Sequence, residues 1–355
     1  MGGAVSIAAA LSILVGCLGP REAMAHVSLP AILGDHMVLQ QQAEVVLWGS
    51  TDRRKGVSVV TSWDHKEYRT MPDREGKWKL HVRTPKAGGP YEIVFDDGDP
   101  RTLKDVLIGE VWLCSGQSNM EFKLSRSAGA EDAIREADFP QIRYFNVKRQ
   151  YGEKPFDDAA GSVWVRTSPD TAGSFSAVAY YFARKLHRET GVPVGIVHAS
   201  WGGTPAEAWT PPSALAGDPR LRIALTRWET WERDSAKDEG GEAKELALYM
   251  TSRPHREPGV LFNGMISPVI PYTLKGFLWY QGESNIRWAG EYEHLLTTLI
   301  ESWREAWRGE GEQDAALPFY IVQLPPFGYS DLESASIVRE AQQGVADEVD
   351  HAGMV

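Results

Sequence analysis

The hydrophobic pattern of this chain changes near Val106, and that change limits the folds the chain can adopt. After it, short apolar segments alternate with amphipathic helical segments. This alternation is typical of parallel βα units with helices on both faces of the sheet, and it predicts a three-layer α/β domain over 106–355. The strands are predicted at 106–114, 142–147, 194–199, 276–280 and 319–324. Helices are predicted at 176–189 and 292–307, where apolar residues recur on one helical face.

Before Val106 the sequence has the character of a small antiparallel β domain. Short strand-like segments occur at 45–48, 57–60, 77–82 and 91–95, with glycine-containing turns between them. We therefore expect a β-sandwich-like domain over 27–105, ahead of the α/β domain. Within the latter, the polar and acidic stretch at 211–252 is interpreted as a solvated helical excursion over the sheet.

Residues 1–25 have the features of a cleaved leader. An apolar stretch from Ala4 to Leu18 precedes Ala23-Met24-Ala25, a small-x-small pattern that suits signal peptidase. We therefore expect a signal peptide and a secreted or periplasmic protein. The alternative is a lipoprotein anchored through Cys17, whereas a permanent membrane span is disfavoured because the apolar stretch is short. With the leader removed, Cys114 has no partner for an internal disulfide.

Net charge and motif content exclude several classes of function. The formal charge of −11 over 355 residues argues against nucleic acid or an anionic membrane surface as the main partner. No His-Glu-x-x-His or clustered Cys/His pattern occurs, so no metal site is expected. No glycine-rich phosphate loop follows a strand, so no cofactor is expected either. The thirteen Trp residues are mostly assigned to the core, with some expected at a sugar-binding rim.

One serine has a setting that suits nucleophilic catalysis. The apolar strand that ends near Cys114 leads directly into residues 116–120, Gly-Gln-Ser-Asn-Met. A serine at a strand-to-helix turn is exposed at the carboxyl edge of the sheet, where the sites of α/β proteins lie. Backbone N–H groups beyond the turn can face a developing oxyanion. Ser118 is therefore the candidate nucleophile, although a serine in such a turn more often only caps a helix.

Four sequence blocks together resemble the sialate O-acetylesterase family, a branch of the SGNH hydrolases. They occur in the family's order, and the resemblance extends over nearly everything after residue 27. The blocks are Leu29-Pro30 with Asp-His-Met-Val-Leu-Gln at 35–40, the Ser118 block at 116–120, Ala-Ser-Trp-Gly-Gly-Thr-Pro-Ala-Glu-Ala-Trp at 199–209, and Trp-Tyr-Gln-Gly-Glu-Ser-Asn at 279–285. The resemblance implies a flavodoxin-like SGNH-hydrolase fold and removal of acetyl groups from carbohydrates through an acetyl-serine intermediate.

The resemblance also implies roles for individual residues. Ser118 would attack, and the backbone N–H of Gly203 with the side-chain amide of Gln281 would stabilise the oxyanion. For Gln281 the alternative is that it only ties neighbouring loops together, and for the glycines that they only form a tight turn. Four further residues are candidates for substrate binding: Gln117, Asn119, Glu207 and Glu283. The two glutamates could instead be buried partners of arginine.

The base that a serine nucleophile needs is missing from the expected place. In this family an Asp-x-x-His block follows the last strand and supplies it, but the chain contains no such block. Residues 352–355 resemble the start of the strand that leads to the block. We therefore expect a fragment truncated before the catalytic Asp and His, with an unpaired sheet edge and little or no activity. His198 and His255 lie near the four blocks but are more simply explained as structural residues.

Two other functions compete with a carbohydrate acetylesterase. The first is a non-catalytic glycan-binding protein that uses the β domain and an aromatic rim. The second is another SGNH esterase of lipase type, which would prefer long acyl chains; Gly-Gln-Ser-Asn in place of Gly-Asp-Ser argues against it. No Gly-x-Ser-x-Gly elbow supports a classical α/β-hydrolase. The expected partner is an acetylated carbohydrate of unknown identity.

Overall fold

A computed structural model describes residues 27–237, 241–311, 316–329 and 331–355. The predicted leader at 1–25, including Cys17, lies outside these residues, as does the acidic centre of the excursion at 238–240. None of the helices in the described ranges is long and apolar enough to cross a membrane.

The described residues form strands of three to sixteen residues. They are β1 (Val38–Gln40), β2 (Glu44–Ser50), β3 (Val57–Thr61), β4 (Glu67–Thr70), β5 (Lys77–Arg83), β6 (Gly88–Asp96), β7 (Arg101–Gly116), β8 (Phe139–Asn146), β9 (Trp164–Thr167), β10 (Val194–Ser200), β11 (Gly276–Tyr280), β12 (Phe319–Ile321) and β13 (Ala352–Met354). The strands predicted from the apolar segments are all present, within a few residues of their expected ends.

The α-helices lie mainly after β7. They are α1 (Ser118–Glu121), α2 (Ala130–Arg135), α3 (Pro169–Ala172), α4 (Ala177–Thr190), α5 (Pro212–Gly217), α6 (Arg222–Ser235), α7 (Glu242–Thr251), α8 (Ala289–Gly311) and α9 (Leu332–Glu348). Short 3-10 helices occur at Leu124–Arg126, Ala206–Trp209, Pro254–Arg256, Ser267–Val269 and Glu283–Trp288, and a π-helical turn at Phe262–Ile266. The predicted excursion at 211–252 therefore contains α5, α6 and α7.

The α/β domain is built on a mostly parallel sheet, which confirms the predicted fold class. Its strand order is β13-β12-β11-β7-β10-β8-β9, and only the edge strand β9 runs antiparallel to its neighbour. Apolar residues of α4 cover one face, where Tyr180 and Ala183 are buried. Residues of α8 and α9 cover the other face, where Leu296 and Val338 are buried. Helices on both faces give the expected three layers.

Strand β7 joins the two parts of the molecule. Its first half pairs antiparallel with β6 and parallel with β1, and its second half pairs with β10 and β11. The domain boundary predicted between residues 105 and 106 lies inside this strand. Its buried apolar residues explain the continuity, because Leu103 and Val106 pack in the same apolar core as Leu113. The two units therefore share one core and one strand.

The strand that the sequence suggested would begin at residues 352–355 is present as β13. β13 pairs in parallel with β12, and the Val355 N–H donates to the Ile321 carbonyl over 2.9 Å. Three residues are enough because β12 is itself only three residues long. In the described residues β13 is the outermost strand on this side of the sheet, so the unpaired edge expected from the sequence lies along β13.

Candidate active site

Ser118 lies where β7 ends and α1 begins. Gly116, two residues earlier, has φ +142°, and a Cβ there would lie 2.1 Å from the Tyr280 carbonyl oxygen. Only glycine allows the backbones to approach so closely as the chain turns. The Ser118 side chain is exposed, and among the described residues its hydroxyl has no hydrogen-bond partner. The turn therefore presents a free hydroxyl rather than a helix cap.

The position of β7 in the sheet places Ser118 between two loops. β10 and β11 flank β7 in parallel, so all three carboxyl ends lie at the same edge. The chain passes from β10 on one side to β11 on the other, and such a crossing opens a crevice outside the strand ends. The loops that follow β10 and β11 begin at Trp201 and Gln281. The three sequence blocks thus meet at one place.

The glycine pair after β10 packs directly against the serine. A Cβ on Gly202 would lie 3.4 Å from Ser118 Cβ, and the Gly202 N–H donates to Glu121 Oε2 over 2.7 Å. Gly203 has φ +74°, and its N–H makes no hydrogen bond to any described residue. Gly203 therefore keeps an uncommitted backbone donor next to the loop that contacts Ser118, which is what an oxyanion site requires.

Gln281 has a different environment from the one expected of an oxyanion donor. Its side chain is fully buried, and its amide nitrogen donates to the Thr204 carbonyl over 3.2 Å and to Asn285 Oδ1 over 2.7 Å. Its amide oxygen accepts from the Tyr292 hydroxyl over 2.9 Å. Both amide hydrogens are therefore engaged. This geometry matches the alternative interpretation, in which Gln281 ties neighbouring loops together.

Two of the four candidate substrate-binding residues are also structural in this arrangement. Gln117 is 2% exposed, and its Oε1 accepts N–H groups of Gly282 and Ser284 over 3.3 and 3.2 Å. Glu207 is 5% exposed and accepts from Asn285 Nδ2 over 2.8 Å. Burial raises the pKa of the Glu207 carboxyl. Gln117 and Glu207 therefore support the loops around Ser118, and their contact with substrate stays a prediction.

Asn119 and Glu283 remain beside the nucleophile. The Asn119 amide donates to Glu283 Oε1, which joins the residue after Ser118 to the loop after β11. Glu283 Oε2 is buried and has no hydrogen-bond partner among the described residues. Burial raises the pKa of the Glu283 carboxyl, although the hydrogen bond from Asn119 opposes that shift. An acidic side chain with an unpaired oxygen thus lies next to the turn that holds Ser118.

The sequence did not single out the ion pair that supports the glycine loop. Arg149 forms an ion pair with Glu121, and its guanidinium carbon lies 5.3 Å from the centre of the Trp201 ring. His255 stacks on Trp201 with ring centres 4.4 Å apart. The available signal was Ser118-x-x-Glu121, a pattern that ordinarily indicates a capping box. Here Glu121 instead binds Gly202 across the site.

The two histidines nearest to the blocks do not bind Ser118. His198 is buried, with Nδ1 2.8 Å from Asn146 Oδ1 and Nε2 2.8 Å from Ser200 Oγ. Burial lowers its pKa to about 4, so it is neutral at pH 7. Burial and neighbouring arginines also lower the pKa of His255. In the part of the chain that the structure describes, no group of three or more His, Cys, Asp and Glu side chains could hold a metal ion.

Comparison with known proteins gives the family. Residues 258–355 match the family model of carbohydrate esterases described as sialic acid-specific acetylesterase. The sialate O-acetylesterases of Rattus norvegicus and Homo sapiens are each 31% identical to the chain, over 83% and 86% of it and 59% and 57% of their own lengths. The chain thus spans less than two-thirds of these relatives. A solved carbohydrate acetylesterase of Xanthomonas citri is 31% identical, with a TM-score of 0.77 over 93% of this chain and 68% of its own. This chain belongs to the sialate O-acetylesterase family of carbohydrate esterases.

Family membership confirms the resemblance inferred from the four sequence blocks. In this acetylesterase-family chain the blocks that contain Ser118, Gly203 and Gln281 converge at the carboxyl edge of the parallel sheet. The first block, at 29–40, lies instead in the β domain and in β1, which pairs with β7. The last three blocks therefore build the candidate site. The first block attaches the β domain to β7, the strand that leads to the site.

Proposed function

We propose that the protein is a carbohydrate O-acetylesterase in which Ser118 carries the acetyl group. The observation that supports this most directly is the exposed, unpartnered hydroxyl of Ser118 beside a glycine loop whose Gly203 N–H is also uncommitted. A nucleophile and an oxyanion donor in the same site are the minimum for acyl transfer. Relatives named sialate O-acetylesterase and carbohydrate acetylesterase support the same reaction.

The reaction begins with attack of Ser118 Oγ on the acetyl carbonyl carbon as the hydroxyl loses its proton. The carbonyl oxygen becomes an oxyanion that accepts from the N–H groups of Ser118 and Gly203; one such donor typically contributes about 3 kcal/mol to the transition state. The bond to the sugar oxygen then breaks, and that oxygen takes a proton. Water attacks the acetyl-serine in the same way, which releases acetate and restores the hydroxyl.

A base for these proton transfers is not in place among the described residues, because no histidine or carboxylate hydrogen-bonds to Ser118. We therefore expect both acylation and hydrolysis of the acetyl-enzyme to be slow in the 355-residue chain. Because hydrolysis is slow, the acetyl-enzyme should accumulate and can be detected directly. The same observation favours a second candidate function, a glycan-binding protein that does not turn substrate over.

Mass spectrometry after incubation with p-nitrophenyl acetate tests the proposal. We expect one acetyl group on the peptide that contains Ser118, and none on that peptide in Ser118→Ala. Ser125→Ala is a matched control, since Ser125 is an exposed serine seven residues away. Equal labelling of Ser118→Ala and the parent chain would refute Ser118 as nucleophile. Rapid turnover, lost in Ser118→Ala, would instead show that a base reaches Ser118.

The substrate we propose is an acetylated carbohydrate. A screen of acetylated sialic acid, xylan and xyloglucan, with released acetate as the readout, identifies the carbohydrate.

We also propose that the protein is exported, by signal peptidase processing or as a lipoprotein through Cys17. This proposal rests on the leader-like sequence of residues 1–25. Fractionation of expressing cells tests export, and retention of the protein in the cytoplasm would contradict it.

A further inference from the structure

A large cleft lies between the β domain and the α/β domain, away from Ser118. Its volume is about 900 Å³, and β2, β5 and the loop after β8 contribute to its walls. Trp48 and Trp78 contribute from the β domain, and Phe156 from the α/β domain. Met71 at its edge is 67% exposed and Phe156 is 38% exposed. Exposed apolar side chains gathered around a concave surface usually mark a binding site.

A second depression adjoins the cleft. Its volume is about 590 Å³, and its lining includes Phe156, which it shares with the cleft, and Tyr151. The Tyr151 ring centre lies 6.1 Å from that of Trp201. Trp201 precedes Gly202, which packs against Ser118. Phe156 thus belongs to both depressions, and Tyr151 joins the second one to Trp201. We name the surface formed by Met71, Phe156, Tyr151 and Trp201 the interdomain groove.

The walls of the interdomain groove combine apolar surface with hydrogen-bonding groups. Lys77 and Asp157 form an ion pair across the cleft over 3.3 Å, and their side chains are 57% and 84% exposed. Sugar rings have apolar C–H faces, which pack on aromatic rings, and hydroxyls, which bind charged groups of this kind. Such a mixed lining suits a carbohydrate better than a lipid or an apolar helix.

The charge of the groove favours a neutral occupant. The charged residues around the cleft are two lysines and three aspartates: Lys77, Lys79, Asp73, Asp157 and Asp158. The second depression adds one lysine and two glutamates: Lys154, Glu153 and Glu257. Both depressions are therefore slightly acidic, which disfavours an anionic polymer there. Basic side chains lie instead at the end near the candidate active site, where Arg149 is beside Trp201 and Arg256 is beside Gly203.

We propose that the interdomain groove binds the backbone of a neutral polysaccharide, so that the β domain holds a chain whose acetyl groups reach Ser118. The inference rests on the proposed function for the identity of the occupant as a carbohydrate. It goes further in assigning the β domain a binding role and in selecting a polymer over a free monosaccharide. A cleft of this volume, which Ser118 does not line, is not needed to hold an acetyl group or one sugar ring.

Affinity gel electrophoresis with soluble xylan or xyloglucan, each deacetylated, tests this binding without any need for catalysis. We expect one of these polymers to retard the parent chain and Ser118→Ala equally. Met71→Glu and Phe156→Ala should each weaken that retardation about tenfold, the change that 1.4 kcal/mol produces. Ile223→Glu is the matched control, because Ile223 is an exposed apolar residue on α6 that lies outside both depressions.

The outcomes separate this inference from the proposed function. Retardation that is lost in Met71→Glu and Phe156→Ala but kept in Ile223→Glu supports the groove, whether or not Ser118 becomes acetylated. No retardation of the parent chain by either polymer, or equal retardation of parent and groove variants, overturns it. Because Met71 and Phe156 are exposed, these variants should fold normally, which circular dichroism checks. Acetylation of Ser118 is measured separately and bears only on the esterase proposal.

Discussion

The carboxylate of Glu121 accepts the N–H of Gly202 over 2.7 Å, which connects the turn that holds Ser118 to the loop that holds Gly203. Gly202 and Gly203 have adjacent N–H groups, and only that of Gly203 is left without a described partner. Glu121 thus engages one donor and leaves its neighbour available for the proposed oxyanion. Arg149 pairs with the same carboxylate and balances its charge beside a site where negative charge would develop.

Removal of the Glu121 carboxylate should disturb this arrangement. In Glu121→Ala the Gly202 N–H loses its acceptor. We expect acetylation of Ser118 by p-nitrophenyl acetate to slow by about tenfold, because a misplaced oxyanion donor loses a substantial part of its stabilisation of the transition state. Glu121→Gln keeps an acceptor oxygen and should stay within about twofold of the parent, because the exposed ion pair with Arg149 contributes little. Equal rates for Glu121→Ala and the parent would show that the contact does not position the loop.

Replacement of Gln281 should act mainly on stability. Gln281→Ala removes the side-chain donor of the buried Thr204 carbonyl. Asn285 Oδ1 keeps the Ala206 N–H, and the Tyr292 hydroxyl keeps the backbone carbonyl of residue 281. One buried polar group without a partner costs about 1 to 3 kcal/mol, and we expect the free energy of unfolding to fall by about that amount. Urea denaturation measures this, with the exposed Gln343→Ala as control. If Gln281→Ala unfolds like the parent but acetylates Ser118 far more slowly, the oxyanion role implied by the family is the better assignment.

The buried His198 should make stability depend on pH. Burial lowers its pKa in the folded protein to about 4 from the ordinary 6.5, so the unfolded chain binds more protons between these values. Stability is therefore fully present above about pH 6.5 and is lost as the pH falls toward 4. The loss reaches about 3 kcal/mol. Urea denaturation of the parent and His198→Asn between pH 7 and 4 measures it, and an unchanged pH dependence in the variant would contradict this origin.

A side chain at Gly116 should not be tolerated. The Cβ of Gly116→Ala would lie 2.1 Å from the Tyr280 carbonyl oxygen, at a residue with φ +142°. We expect a loss of about 3 kcal/mol or more in unfolding free energy, or failure to fold. Gly129→Ala separates the two causes, because Gly129 has φ +69° but open space around it and should lose only about 1 kcal/mol. Similar losses in both variants would mean that the close contact with Tyr280 is not what requires glycine.

Much of the fold could be predicted because local patterns encode it. The apolar segments at 194–199 and 276–280 are hydrophobic throughout, as strands buried on both faces must be, and they form β10 and β11. The domain boundary was harder to predict from the sequence. β7 continues through residue 105 as one strand, and its local sequence does not show that one half pairs with β6 and the other with β10.

The motifs by themselves determined the family and the candidate nucleophile. They also indicated that three blocks meet at one edge of the sheet, because each block follows a strand and parallel strands end at the same edge. Only the tertiary structure decided what each polar side chain does there. Gln281, Gln117 and Glu207 became buried supports, and Glu121 became the partner of Gly202. A hydrogen bond depends on where two distant residues lie to within a few tenths of an ångström, and that position is set by the packing of the whole molecule rather than by neighbours in the chain.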